Sequence, residues 1–515
     1  MEEYKVLITT SGVGSRLGNL TEKTNKCLVR ISDKPSISHI IESYPKETKF
    51  VITLGYFGDY VRQYLNIAHP NSDFTFVEID NYNNQGSSLG YSISKCEEHL
   101  GCPFIFHASD TIIDKLDKSA LFDNWVIGSS KKDASQYRTI NIEKGLIKNI
   151  NEKGEINFDC IYVGVCGIKD YKLFFKYLKE ELGKNTHDLS DVHIISKMIK
   201  DVDFKCIEVD SENWFDIGNV EELERTRKAF SNNVEVLDKS DESIFFFDDS
   251  VIKFFSNKAI NINRVKRAKM LDSLVPNLIS HSDNFYKYKK AEGNLFSESV
   301  NSKKFYSFLE WSKNNLWVKK EVKDFGSVCE KFYIEKTKKR IYDYLKGEND
   351  SACEINGLLI PGIYELLDSI DKDWLCDGIP CQFHGDFILD NIIEKNGNFT
   401  LIDWRQDFGG CLDFGDLYYD LSKLNHNLYV NHKIVNMGLF SHKKDECHIL
   451  TSTRLIECKK ILKDFVIKNN LDWNKVEVLT SLIWLNMAPL HEYPFNVFLF
   501  NFGKYNLFKN LNNNI

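Results

Sequence analysis

A chain of 515 residues is too long for one compact core, so at least two domains are expected. Hydrophobic residues at 43% and charged residues at 27% exclude a disordered chain, and a formal net charge of -8 argues against nucleic acid as a partner. The 13 cysteines are scattered, odd in number and without a CxxC pair, which speaks against a zinc site or a disulfide framework and for a cytoplasmic protein with reduced thiols.

The opening MEEYKVLITT runs straight into a strand, so no signal peptide is expected. No apolar run approaches the roughly 20 residues a membrane span needs, so no membrane insertion is expected either. Tyr4 to Thr10, Lys49 to Gly55, Phe74 to Asp80 and Pro103 to His107 read as buried strands, and segments near 36–44, 58–67 and 87–100 have helical spacing. This alternation predicts an α/β fold with a doubly wound, mostly parallel, Rossmann-like sheet, whose ligands sit beyond the C-terminal strand ends. After 125, NIEKGLIKNINEKGEINF reads as antiparallel strands with tight turns, and the helical run VEELERTRKAF closes a first domain, 1–232. A polar linker is expected at 233–243. A hairpin then opens a second domain, 244–515, with strands Ile244 to Phe247 and Val251 to Phe255 around a turn at Asp248–Ser250. From about 300, helical periodicity dominates, broken by a strand–turn–strand at 391–403.

Two clusters carry the chemistry. In LITTSGVGSRLGNLTEKTNKCLV, Gly12 and Gly14 follow a strand and let backbone N–H groups approach a polyphosphate, while Arg16 and Lys26 supply positive charge for a triphosphate and its leaving pyrophosphate. The longer pattern, G-x-G-x-R-L followed by Thr21, Lys26 and Lys34–Pro35, resembles the signature loop of the sugar-1-phosphate and phosphocholine nucleotidyltransferase family. The resemblance covers about residues 4 to 230. It implies that Gln85, Gly86, Ser87 and Ser88 of NNQGSSLGYSI hold the base. It also implies that Asp110, ending FIFHASD, and Asp216, in WFDIG, are Mg²⁺ ligands, and that Glu152–Lys153 contact the acceptor phosphate, although the family's following proline is missing. Thr10–Ser11–Gly12 stands where the family often has Ala-Ala-Gly.

The second cluster is FHGDFILDNIIEKNGNFTLIDW. Asp386 and Asn391 lie five apart in H-G-D-x-x-x-x-N, and Asp403 follows a strand and a turn. This resembles the catalytic loop of aminoglycoside phosphotransferases and choline kinases, and implies a protein-kinase-like α+β domain with a helical C-terminal lobe. In that template Asp386 orients or deprotonates the attacking hydroxyl, Asn391 and Asp403 hold Mg²⁺ against ATP, and Lys253 contacts a phosphate. His384 reads as a scaffold residue, and Asp416 and Asp420 as capping and packing acids. The hairpin turn before Lys253 lacks a Gly-rich loop, and the helix INRVKRAKMLDSL lacks the glutamate expected to pair with Lys253.

Together the two resemblances imply a bifunctional enzyme: a kinase making a phosphomonoester and a nucleotidyltransferase coupling it to a nucleoside monophosphate, CTP being the favoured donor. A sugar-like or polyol phosphate for cell-surface polysaccharide is the first reading. Choline or ethanolamine is the alternative, as is a catalytically silent kinase-like binding module.

Overall fold

Alternating strands and helices in the first 110 residues build a sheet with an apolar core on each face. The computed structural model describes residues 4–84, 86–114, 123–130, 133–184, 188–230, 241–441, 443 and 445–512. β1 (Lys5–Thr9), α1 (Ser36–Glu42), β2 (Lys49–Leu54), α2 (Gly58–Ala68), β3 (Asp73–Glu78), α3 (Leu89–Ser94) and β4 (Phe104–Ala108) follow one another. Because strand side chains alternate, Val6 and Ile8 join Ile37 of α1 and Val61 of α2, while Leu7 joins Ile93 of α3 on the other face.

β5 (Thr111–Ile113), β6 (Trp125–Ser129), β7 (Thr139–Glu143), β8 (Leu146–Asn151) and β9 (Cys160–Ile168) come next. They are followed by α4 (Tyr171–Leu182), α5 (Asp191–Met198), β10 (Lys205–Val209), β11 (Trp214–Asp216) and α6 (Val220–Ala229). The large sheet has the order β3-β2-β1-β4-β9-β6-β10-β8-β7. The expectation of a mostly parallel sheet needs correction, since this sheet is mixed. β1 to β4 pair in parallel, but β9 runs antiparallel to both β4 and β6. Parallel neighbours need a crossover of a dozen or more residues, usually helical, and the described residues between β6 and β9 hold no helix. Where α4 and α5 do intervene, β10 returns parallel to β6.

The expected boundary at 232 and 244 also moves. Residues 1–261 with 279–288 form one compact unit, and 262–278 with 289–515 form the other. Residues 233–240 of the expected linker lie outside the described residues. The hairpin β12 (Glu242–Phe246) and β13 (Ser250–Phe255) belongs to the first unit because its aromatic side chains pack on α2. Phe245 meets Tyr64 at 5.2 Å and Phe254 meets Tyr60 at 5.0 Å between ring centroids.

The second unit is chiefly helical, with long helices at Ser302–Asn315, Leu417–Tyr429, Thr453–Lys468, Trp473–Met487 and Phe495–Asn512. Strands Ile392–Lys395 and Asn398–Leu401 form its expected hairpin. The turn residues Asn396 and Gly397 both take positive φ, 54° and 82°, as a two-residue hairpin turn requires. Among the described residues no helix is long and apolar enough to cross a membrane.

Candidate active site

β1 and β4 lie side by side and end together, which puts the loops after Thr9 and Ala108 next to each other. The first loop turns at Gly14, whose φ is +69° and whose Cβ, were there one, would stand 2.8 Å from Lys26 Cβ. Only glycine meets both conditions without strain. Asn25, fully buried, ties the loop down: its Nδ2 donates to Thr10 O at 2.8 Å and Tyr56 O at 2.6 Å, and its Oδ1 accepts from Cys27 N at 3.0 Å. Ser36 Oγ lies 3.2 Å from Cys27 O and 3.0 Å from Ser109 O, holding the residues beside Lys26 and Asp110 together. Gly14→Ala is expected to lower the thermal midpoint by a few degrees, on the order of 1–2 kcal/mol for the positive φ, and to cut activity further by displacing Lys26. Thermal unfolding beside a rate measurement checks both.

Asp110 and Asp216 are far apart in sequence and meet through a small ribbon. β11 pairs antiparallel with β5, Asp216 opposite Thr111, and Ile217 N donates to Asp110 O at 3.0 Å. A Cβ placed on Gly218 would stand 2.9 Å from Asp216 Oδ1, 3.5 Å from Arg16 Nη2 and 3.6 Å from Asp110 Oδ2. The two carboxylates are therefore no farther apart than the sum of the first and last distances. Lys26 Nζ pairs with Asp110 Oδ2.

Burial opposes the charge on both acids, with different outcomes. At Asp110 the ammonium of Lys26 and the guanidinium of Arg16 outweigh burial, and the pKa falls below the usual carboxylate value. At Asp216 burial and the neighbouring Asp110 charge prevail and the pKa rises, although Tyr137 Oη (2.7 Å) and Gly218 N (2.6 Å) donate to it. Two acids facing each other at the edge of a glycine turn fit a hard cation that brings its remaining oxygen ligands from phosphates and water. Among the described residues no group of three or more His, Cys, Asp or Glu side chains is arranged around a metal position.

Gly12 is exposed, with open space where a Cβ would be. Gln85 lies outside the described residues. Gly86 has φ +87°, Ser87 N donates to Asn84 O at 2.9 Å, and Ser88 Oγ caps α3 through Tyr91 N at 3.0 Å. Ser88 thus has a local structural task. Ser92 of α3 meets Ser11 at 3.1 Å, which brings this segment toward the glycine loop. Glu152 accepts from Arg138 Nη1 at 2.6 Å, Lys153 is exposed, and Tyr137, next to Arg138, is the residue that holds Asp216. Tyr137, Arg138, Asn25 and Ser36 escape sequence reading because each is an isolated polar residue.

In the second unit, Lys423 Nζ pairs with Asp386 Oδ1 at 2.7 Å, and Asn391 Nδ2 donates to Asp386 O at 2.9 Å and Oδ2 at 3.2 Å. Burial raises the Asp386 pKa and Lys423 more than reverses it, so the acid is ionised. Asp420 accepts from His384 N at 2.8 Å and Gly385 N at 2.7 Å, and burial pushes its pKa up to about 6. Asp416 caps the helix Leu417–Tyr429 through Tyr418 N. His384 is fully buried, with Nε2 2.9 Å from Ile402 O, which couples the Asp386 loop to the segment of Asp403. Asp403 takes φ 59° and pairs with Arg264 of α7 (Lys258–Leu271). In place of a glutamate, this helix carries Arg264 and Arg267. Arg267, fully buried, donates to Leu412 O at 3.0 Å and to Phe383 O. Lys253 falls in the first unit, buried, with Nζ 3.8 Å from Glu242 Oε1.

Burial pushes His384 down to about 4, and His107 of β4, bonded to Tyr44 Oη at 2.8 Å and Thr111 O at 3.0 Å, also to about 4. Both pKa values lie below the unfolded 6.5, so the unfolded chain binds more protons in between. Stability from these residues is full above about pH 6.5 and is lost as pH falls toward 4, on the order of 2–3 kcal/mol each. Unfolding midpoints across that window, parent against His107→Gln, should show the slope flattening in the variant.

No family model and no curated protein matches the chain. Solved structures similar to part of it include CTP:phosphocholine cytidylyltransferase from Streptococcus pneumoniae, at 18% identity over 44% of this chain and 100% of that one, TM-score 0.39. The inositol-1-phosphate CTP transferase from T. maritima is 17% identical over 46% of this chain and 99% of that one, TM-score 0.36. A UDP-glucose pyrophosphorylase complexed with UDP-glucose is 19% identical over 45% and 98%, TM-score 0.38.

Proposed function

We propose that the first unit is a Mg²⁺-dependent nucleotidyltransferase that joins a phosphorylated small molecule to the nucleoside monophosphate of an NTP, CTP being favoured. One observation carries this reading: Asp110, Asp216, Arg16 and Lys26 converge beside the Gly12–Gly14 turn at the C-terminal ends of parallel strands. An acceptor phosphate oxygen attacks the α-phosphorus. The new P–O bond forms as the bond to the β-phosphate oxygen breaks, and pyrophosphate leaves with the electron pair. Arg16 and Lys26 meet charge growing on the leaving group, and the exposed backbone at Gly12 admits the phosphates. Magnesium, held by Asp110 and Asp216, would supply Lewis-acid stabilisation of the α-phosphate. Glu152 and Lys153 lie on the acceptor side in this reading, and the Gly86–Ser88 segment on the base side. The acceptor is a sugar-like or polyol phosphate. A crossed screen of four NTPs against sugar, polyol and amino-alcohol phosphates, read as pyrophosphate formed, tests it, and no pyrophosphate in any combination removes it.

The second unit, in the same proposal, is an ATP-dependent small-molecule kinase that makes the phosphate the first unit consumes, with Asp386 as base and Asn391 and Asp403 as metal ligands. Its support is the ionised Asp386 held by Lys423 and Asn391. A silent binding module is the second reading, favoured by the Arg264–Asp403 ion pair, which engages one of the two proposed metal ligands.

A further inference from the structure

Cations crowd the second unit beside Asp386. Lys336 and Arg340 lie one turn apart on the helix Lys336–Tyr344, Arg405 follows Asp403 by two residues, and Lys423 comes from the helix Leu417–Tyr429. All four are partly buried. The Phe332 ring gathers two of them, with Lys336 Nζ 4.0 Å and the Arg405 guanidinium carbon 5.1 Å from its centroid. Arg405 N donates to His384 O at 3.0 Å, which anchors this cation to the Asp386 loop.

Acids do not balance them. Asp386 is engaged by Lys423. Asp407 offers Arg405 Nε its main-chain oxygen, at 3.0 Å, while its carboxylate accepts from Gly410 N at 3.1 Å. Among the described residues no carboxylate stands within ion-pair distance of Lys336, Arg340 or Arg405. Like charges drawn out of water without a counter-charge are costly, and a fold retains them where an anion completes the set. Arginine forks and a lysine suit carboxylate and phosphate oxygens alike. Burial together with Arg405, Arg340 and Lys423 pushes Lys336 down to about 6, so it stands ready to take up a proton when an anion arrives.

We propose that Lys336, Arg340 and Arg405 bind the anionic group, a carboxylate or a phosphate, of a small alcohol whose hydroxyl faces Asp386. This rests on the kinase reading and alters its acceptor: the alcohol is a hydroxy acid or a phosphorylated polyol, so the phosphate handed to the first unit carries a second anionic group, and choline and ethanolamine are disfavoured. The hydroxyl oxygen bonds to the γ-phosphorus of ATP as the bond to the β-phosphate oxygen breaks. ADP leaves, and the hydroxyl proton passes to Asp386.

The test uses the full chain, MgATP and three alcohols of similar size: glycerate, glycerol and ethanolamine. ADP formation is the first readout, and calorimetric binding of glycerate without ATP, in two buffers of different ionisation heat, is the second. Glycerate is expected to exceed the other two in kcat/KM by at least about tenfold, and Lys336→Gln or Arg340→Gln to raise its KM about tenfold with the KM for ATP within about twofold. Arg340→Lys, which keeps the charge, should recover part of the loss, and glycerate binding to the parent at pH 7.5 should take up protons. Preference for ethanolamine, or glycerate binding unchanged in the Lys336→Gln/Arg340→Gln double variant, overturns the proposal. Binding of glycerate that the double variant loses, with no ATP turnover on any alcohol, removes the kinase reading and leaves the anion site standing.

Discussion

Asp216→Asn should reduce pyrophosphate release at least about a thousandfold while leaving the chain at least as stable as the parent. The carboxylate is held at a raised pKa by burial and by Asp110, so above pH 4 its charge works against folding. An amide of the same shape removes that repulsion, still accepts from Gly218 N, and can donate to Tyr137 Oη. The thermal midpoint is expected to stay level or rise by about one to three degrees. Asp110→Asn should lose as much activity with the opposite effect on stability, because it strips Lys26 of its partner. This crossed result separates carboxylates placed for chemistry from carboxylates placed for packing. Near-parental rates in either variant would end the nucleotidyltransferase proposal.

Asp386→Ala should abolish ATP turnover on every acceptor, a loss of at least about a thousandfold, while nucleotidyl transfer on an added phosphate acceptor stays within about twofold of the parent. The carboxylate is ionised at neutral pH because Lys423 outweighs burial, and it is therefore ready to accept a proton. Loss of ATP turnover with nucleotidyl transfer intact would assign the two activities to different units. Turnover undiminished in the variant would mean that Asp386 holds the loop and does no chemistry. Absence of turnover already in the parent favours the binding module, in keeping with the hold Arg264 has on Asp403.

The periodic features of the fold were legible in the sequence. β1 to β4 and α1 to α3 follow from apolar runs and helical spacing, and Asp110 and Asp216 stand out through the pattern around them. Pairing partners were not legible. Nothing in CIYVGVCGI says that it lies between β4 and β6 or in which direction, because an apolar run fits either orientation. A hairpin from Ile244 to Phe255 is legible, but the surface it packs on is not, since Phe245 and Phe254 show that a surface is needed without saying which. Single polar residues such as Ser36, Tyr137 and Arg264 act through contacts distant in sequence, and distance along a chain leaves no local mark.

The ribbon of β5 and β11 has a consequence for how the protein is made. Every strand of the nine-stranded sheet lies before residue 210, whereas Asp216 comes after it. A nascent chain leaving the ribosome therefore completes its largest sheet before it owns both acids, and a fragment ending at Val209 would contain all nine strands of that sheet and one of the pair. The second acid is added only after the last of those nine strands.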